Sequence, residues 1–126
     1  MDQYGHSRPF SNIQSAEVTH IPALYNLFQK YGITIPEDEG MNYVVYPSNL
    51  QEAYEIGVTA EIENIDMYNR FLEESLPRDV KNVFTSLRNA SEKHLSTFQK
   101  HANWLVKRRE KLFSQNVSDL CCVICR

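Results

Sequence analysis

Apolar residues recur at steps of three and four along three long stretches of this chain. That periodicity constrains the fold more than any other feature. In the longest stretch, from near Asp79 to about Phe113, Val80, Val83, Phe84, Leu87, Ala90, His94, Phe98, Ala102 and Leu105 share one helical face. A second stretch runs from about Ser48, a suitable N-cap, to Glu74, where Leu76-Pro77 breaks the pattern. Its face carries Leu50, Tyr54, Gly57, Val58, Glu61, Ile65, Tyr68 and Leu72. The first stretch spans about Ser11 to Tyr31, with Ala16, His20, Leu24, Leu27 and Tyr31 aligned. Ser11 or Asn12 can cap it, and Gly32 suits the residue just past its end. Pro22 lies inside it, removing one backbone donor and crowding the Val18 carbonyl, which predicts a kink or a break there.

Between the first two stretches, Pro36-Glu37-Asp38-Glu39-Gly40 is turn chemistry. Tyr43-Val44-Val45-Tyr46 has strand propensity, but one lone segment builds no sheet, so it should lie extended over a helical core. Only 4 Gly and 5 Pro stand among 126 residues, which leans away from a turn-rich all-β fold. The remaining class is all-α: an antiparallel helical bundle of three long helices, forming one domain over residues 1–113. Residues 114–126 are expected to be a disordered tail. Three is an awkward number, because the apolar stripes are wide and long bundles of this type usually have four helices.

Composition excludes several functions. The 42% apolar and 11% aromatic fractions support a packed core. No apolar run approaches the roughly 18–20 residues of a membrane span, and Met1 to Phe10 lacks the apolar segment of a secretory signal. A formal net charge of −3 disfavours nucleic acid as a partner. The basic cluster Lys107, Arg108, Arg109 and Lys111 reads as a solvated helix end suited to the helix dipole. Cys121, Cys122 and Cys125 are the 3 cysteines, all near the C-terminus where they staple nothing, which points to a reduced, cytoplasmic protein. Cys122-Val-Ile-Cys125 has metal-knuckle spacing without a second pair, so a zinc site there would need two chains.

The chemistry sits where polar residues interrupt the stripes. Glu61 stands in the middle of the second, between Gly57, Val58 and Ile65. Burying an unpaired carboxylate costs several kcal/mol, so it needs a partner. Glu17 and His20 are three apart in the first helix, His94 lies in the third stripe with Ser91 one turn before it, and Asn64 is placed to share Glu61's seam. Inward-facing Glu and His from facing helices are how bundles hold metals, and carboxylate with imidazole suits iron, manganese or zinc. Plainer readings stand beside these. Glu61 could bond a Tyr, Asn or His across the bundle, His94 could be a satisfied core histidine, and Glu17 with His20 could be an exposed helix pair. Tyr54 and Tyr68 read as core aromatics, His101 as packing or surface, and Glu63 and Glu92 as solvent-facing.

These residues carry a resemblance. Tyr4-Gly5-His6, Phe10-Ser11-Asn12-Ile13, Ser15-Ala16-Glu17 with His20, and Lys30-Tyr31-Gly32-Ile33 come first. Ala53-Tyr54, Gly57-Val58, Glu61 with Asn64-Ile65, Val83-Phe84 with Leu87, and Ala90-Ser91 with His94-Leu95 and Phe98 follow in order. Together they resemble a rubrerythrin-related branch of the ferritin-like superfamily, a domain-of-unknown-function family, over about residues 4 to 101. The resemblance implies a ferritin-like bundle of di-iron carboxylate descent, acting on iron, oxygen or peroxide. It implies Glu17, His20, Glu61 and His94 as the metal ligands. The chain departs from the pattern in two places. It resembles a member lacking its first helix, and the usual Glu-x-x-His of the last helix reads Ser91-x-x-His94. Around six protein ligands hold the metal pair of the superfamily plan, so the four here suit one ion better than two.

An uncovered seam should find a partner, which predicts a homo-oligomer. The alternative function is a non-catalytic helical interaction module that kept the fold and lost the metal site, its seam docking a partner helix.

Overall fold

A computed structural model describes residues 8–124 of the chain, with side chains described through Leu112. Three long α-helices dominate: α1 over Arg8–Lys30, α2 over Leu50–Glu73 and α3 over Arg78–Ile124. A short 3-10 turn at Gly40–Tyr43 interrupts the α1–α2 connection, and no strand occurs among the described residues. The all-α helical bundle is as the periodicity predicts.

The helix ends have local causes. α1 closes with Gly32 at φ 63°, with Ile33 N–H bonding Phe28 O at 2.9 Å and Gly32 N–H bonding Gln29 O at 3.2 Å. That paired arrangement satisfies two of the last orphan carbonyls and needs the left-handed backbone that glycine adopts freely. α2 is capped by Asn49, whose side chain accepts from Glu52 N–H at 2.9 Å, rather than by Ser48. Ser48 takes the reciprocal part, donating its backbone N–H and hydroxyl to the Glu52 carboxylate. Pro22 does not break α1, which runs through it. Val18 and Ile21 on that turn are exposed, so water can take the carbonyl that loses its partner. α3 continues through Ile124, past the Phe113 at which the periodicity closes it. The basic residues Lys107 to Lys111 therefore lie mid-helix and exposed, too far from the end for the dipole to act on them. Arg108 lies over the Trp104 ring at 5.1 Å. Cys121, Cys122 and Cys125 fall outside the described side chains.

α2 and α3 form the main seam. Tyr54 stacks on His101 with centroids 5.4 Å apart, Gly57 meets Phe98, Glu61 meets His94, and Tyr68 and Phe71 both pack on Phe84 at 5.7 Å. Each step forward along α2 is a matching step back along α3, so the two are antiparallel. At Gly57 the approach is close: a Cβ there would lie 2.8 Å from the Phe98 ring. Tyr54, Phe98 and Ala102 make the buried core cluster, with Phe10, Ile13, Leu50, Val58 and Leu105 packed around it.

α1 also runs antiparallel to α3. Phe10 stacks on Tyr54 at 4.9 Å and lies 5.4 Å from Phe98, while Lys30 and Tyr31 at the other end bond Asp79. α1 and α2 are therefore parallel, and residues 31–49 must cross the length of the bundle to join them. A bundle with one long crossover is the ferritin-like connection, unlike the short loops of an up-down bundle. The crossover does not lie over a core: Tyr43, Val44, Val45 and Tyr46 are all exposed. α1 is lightly held, with no buried residue of its own.

Candidate metal centre

The register that places Gly57 against Phe98 places Glu61, one turn on, against His94, one turn back. Glu61 Oε1 lies 3.2 Å from His94 Nδ1, with the two side chains 7% and 10% exposed. α1 brings a third group: Glu17 Oε1 lies 3.1 Å from the same nitrogen, its side chain half-exposed. One ligand atom each from Glu17, Glu61 and His94 falls within 4.8 Å of the others. Three helices thus converge on one point.

His20 stands differently. Its Nδ1 lies 3.0 Å from Glu17 Oε2, the oxygen turned away from His94. An ionised carboxylate only accepts, so this nitrogen carries the proton. With Pro22 inside the helix, His20 still lies within hydrogen-bond reach of Glu17. The structure brings together three of the four ligand candidates and puts the fourth behind Glu17 as its orienting partner. Asn64 is exposed and leaves the seam to Ile65, because the i+4 residue overlies Glu61 more closely than the i+3 residue. Ser91 is buried one turn from His94, and Glu63 and Glu92 face solvent as their positions predict.

The polar bookkeeping is incomplete without a further group. Glu61 Oε2 is buried with no hydrogen-bond partner. His94 Nδ1 is close to both carboxylates, yet neither lies along the ring N–H direction well enough to form a hydrogen bond. Buried polar atoms are nearly always satisfied, so two orphans at one point need an explanation. Two carboxylates sharing one nitrogen also repel each other, at a cost on the order of 1–3 kcal/mol after screening. A cation answers both problems, and two carboxylate oxygens with one imidazole nitrogen suit iron, manganese or zinc. The donor set fits a metal.

Tyr68 reads as a core aromatic, and it packs on Phe84. Burial first, then the charges of Glu17 and Glu61, push its phenol pKa up. An open cleft of about 410 Å³ between α1 and α3, lined by His20, Ser86, Asn89, Lys93 and His94 among others, borders the group at His94. A larger depression on outer α3, lined by Asn89, Glu92, Lys93 and Ser96, contains none of the converging groups. No described helix is long and apolar enough to cross a membrane.

The family model for rubrerythrin matches residues 4–102. Searches of curated proteins and of solved structures return no match. The matched span takes in α1, the crossover, α2 and the N-terminal half of α3, with Glu17, His20, Glu61 and His94 all inside it. Helical architecture, crossover and family match agree, and the chain belongs to the rubrerythrin family of ferritin-like proteins.

Proposed function

We propose that this chain is a ferritin-like metal-binding protein holding one transition-metal ion, iron first and manganese or zinc as alternatives, between Glu17, Glu61 and His94. The supporting observation is the convergence of three ligand atoms from three helices within 4.8 Å, with Glu61 Oε2 and His94 Nδ1 both buried and unsatisfied. Glu61 and Glu17 supply anionic oxygens, His94 supplies a nitrogen, and His20 holds Glu17 in place through its second oxygen. When bound, such an ion supplies Lewis acidity and, for iron or manganese, one-electron redox chemistry on iron, oxygen or peroxide. The open cleft at His20 and His94 is the route for small molecules to reach it.

The competing reading is a helical interaction module without a metal. It draws on the half-exposed Glu17 and on the exposure of α1. Elemental mass spectrometry separates the two. Protein purified from iron- and manganese-supplemented cells should carry about one metal per chain, and Glu61→Ala should lose it. A folded wild-type protein without metal, or a variant that keeps its metal, would overturn the proposal.

A further inference from the structure

We infer that the outer face of α3 from Lys93 to Lys111 binds an anionic phospholipid surface. From the first of these residues to the last stand six Lys and Arg against one acid, Glu110, whereas the whole chain carries 13 against 16. Positive charge is thus gathered on one segment of an otherwise acidic protein. Lys93, Lys100 and Lys107 recur at steps of seven, Lys111 follows four residues on, and Trp104 and Arg108 stand among them. At about 3.6 residues per turn, all six lie within an arc of roughly 100°. That arc is opposite Phe98, Ala102 and Leu105, which face the core. All six are exposed, Trp104 by 53%.

A solvated helix face gains by offsetting its cations with acids three or four residues away. Here Lys107 and Lys111 are four apart and Arg108 and Lys111 three apart, so like charges stack at a cost. Among the described residues Lys93, Lys100, Lys107 and Arg108 have no ion-pair partner, and Glu92 turns to Arg88. The segment is left needing anions from outside, and its geometry selects among them. Steps of seven drift by only about 20° each, so the row runs nearly straight for about 27 Å. Cations in a straight row on a convex helix can all meet one plane. Past Leu105, which packs on the core cluster, this face is one helix with no second wall for a groove. A nucleic-acid strand would lack a track there, and one aromatic, Trp104, cannot stack successive bases. A lipid surface suits the same groups. Trp104, with Arg108 over its ring at 5.1 Å, belongs at headgroup level, where the lysines meet lipid phosphates. The acidic remainder of the chain is repelled by that surface, which fixes the orientation. Such a helix lies on the membrane without crossing it.

The test uses the full chain in the presence of chelator, so that it does not depend on any metal. Trp104 is the single tryptophan of the chain, so its fluorescence reads this face alone. Vesicles of phosphatidylglycerol and phosphatidylcholine in equal parts should bind the protein and shift Trp104 emission to the blue. Vesicles of phosphatidylcholine alone should do neither. Each cation near an anionic surface strengthens binding roughly fivefold, so Lys100→Gln with Lys107→Gln should weaken it by roughly 25-fold, with helix content unchanged. No binding to anionic vesicles at millimolar lipid, equal binding to neutral ones, or a bound protein whose Trp104 emission does not move would overturn the inference. A double variant that binds like wild type would do the same. If that variant fails to fold, wild-type binding across a salt series decides the matter, since affinity independent of salt would refute the assignment. A single-stranded oligonucleotide that binds this face more tightly than the anionic vesicles, at equal anion concentration, would reassign it to nucleic acid and also overturn the inference.

Discussion

Glu61 on α2 faces His94 on α3 with Oε1 3.2 Å from Nδ1, and both side chains are about nine-tenths buried. The pairing follows from backbone approach one turn away. Gly57, lacking a side chain, lets α2 close onto the Phe98 ring, and the antiparallel register then fixes which residues meet next. Glu17, delivered by α1, completes the group without being buried itself. The site therefore joins a rigid half to a loosely held one.

Removing the charge at Glu61 should stabilise the metal-free protein. Glu61→Gln keeps the shape and ends the repulsion with Glu17. The gain expected is about 1 kcal/mol, or roughly 3–5 °C in melting temperature, measured at pH 8 with chelator. Added metal should then raise the melting temperature of the wild type and leave the variant unmoved. A variant that melts lower than wild type without metal would mean that the Glu61–His94 pair is itself stabilising, and the case for a cation would lose its physical basis.

Gly57→Ala tests the close approach. Alanine in a helix interior gains about 1 kcal/mol over glycine. Its Cβ, however, would stand 2.8 Å from ring atoms of Phe98, which is held by Tyr54 and Phe10 and is only 5% exposed. Overpacking of this kind costs about 1–3 kcal/mol, so against the helix-propensity gain the variant should be less stable than wild type by up to about 2 kcal/mol. Urea unfolding reads this directly. A variant more stable than wild type would show that the helices separate freely at this point.

The α2–α3 seam was legible because both stripes hold a strict helical period. A Glu and a His inside such stripes are conspicuous as buried polar residues. Which helices run parallel was not legible, since periodicity within a helix says nothing about its direction against another. The same holds for His20. Spacing placed it near Glu17, but only the tertiary arrangement shows Glu17 offering one oxygen to His94 and the other to His20. The cap at Asn49 was hidden by Ser48, an equally good capping residue one position earlier. Exposure of Tyr43 to Tyr46 was hidden because strand propensity reports side-chain type and carries no information on where a crossover travels.

His20→Ala should separate positioning from ligation. With the Nδ1 donor gone, Glu17 keeps its carboxylate but loses the hydrogen bond that aims it. Loss of such an outer partner weakens metal binding by roughly 10–100-fold. Calorimetric titration with zinc should show this drop, with stoichiometry near that of wild type and circular dichroism unchanged. Stoichiometry falling to zero would instead make His20 a ligand, and unchanged affinity would remove it from the site.

The far end of α1 offers a pH test independent of any metal. Lys30 Nζ bonds Asp79 Oδ2 at 2.5 Å and Tyr31 Oη donates to Asp79 Oδ1 at 2.8 Å. The Lys30 hydrogen bond first, then that of Tyr31, holds the Asp79 carboxyl at about 2, below its ordinary 3.8. A carboxylate with a depressed folded pKa contributes stability that is present above its unfolded pKa and is lost as pH falls through the folded one. The link between α1 and α3 should therefore be intact at neutral pH and fade between about pH 4 and pH 2. The same contacts raise the Lys30 and Tyr31 values, so the link persists well into the alkaline range. Asp79→Asn keeps the acceptor oxygen but not the charge. Hydrogen exchange over Leu27 to Tyr31 should be faster in this variant than in wild type at pH 7. The gap in melting temperature between the two proteins should then close as the pH is lowered through that window. Melting curves that stay parallel from pH 7 to pH 2 would show that the Asp79 charge does not hold α1 in place.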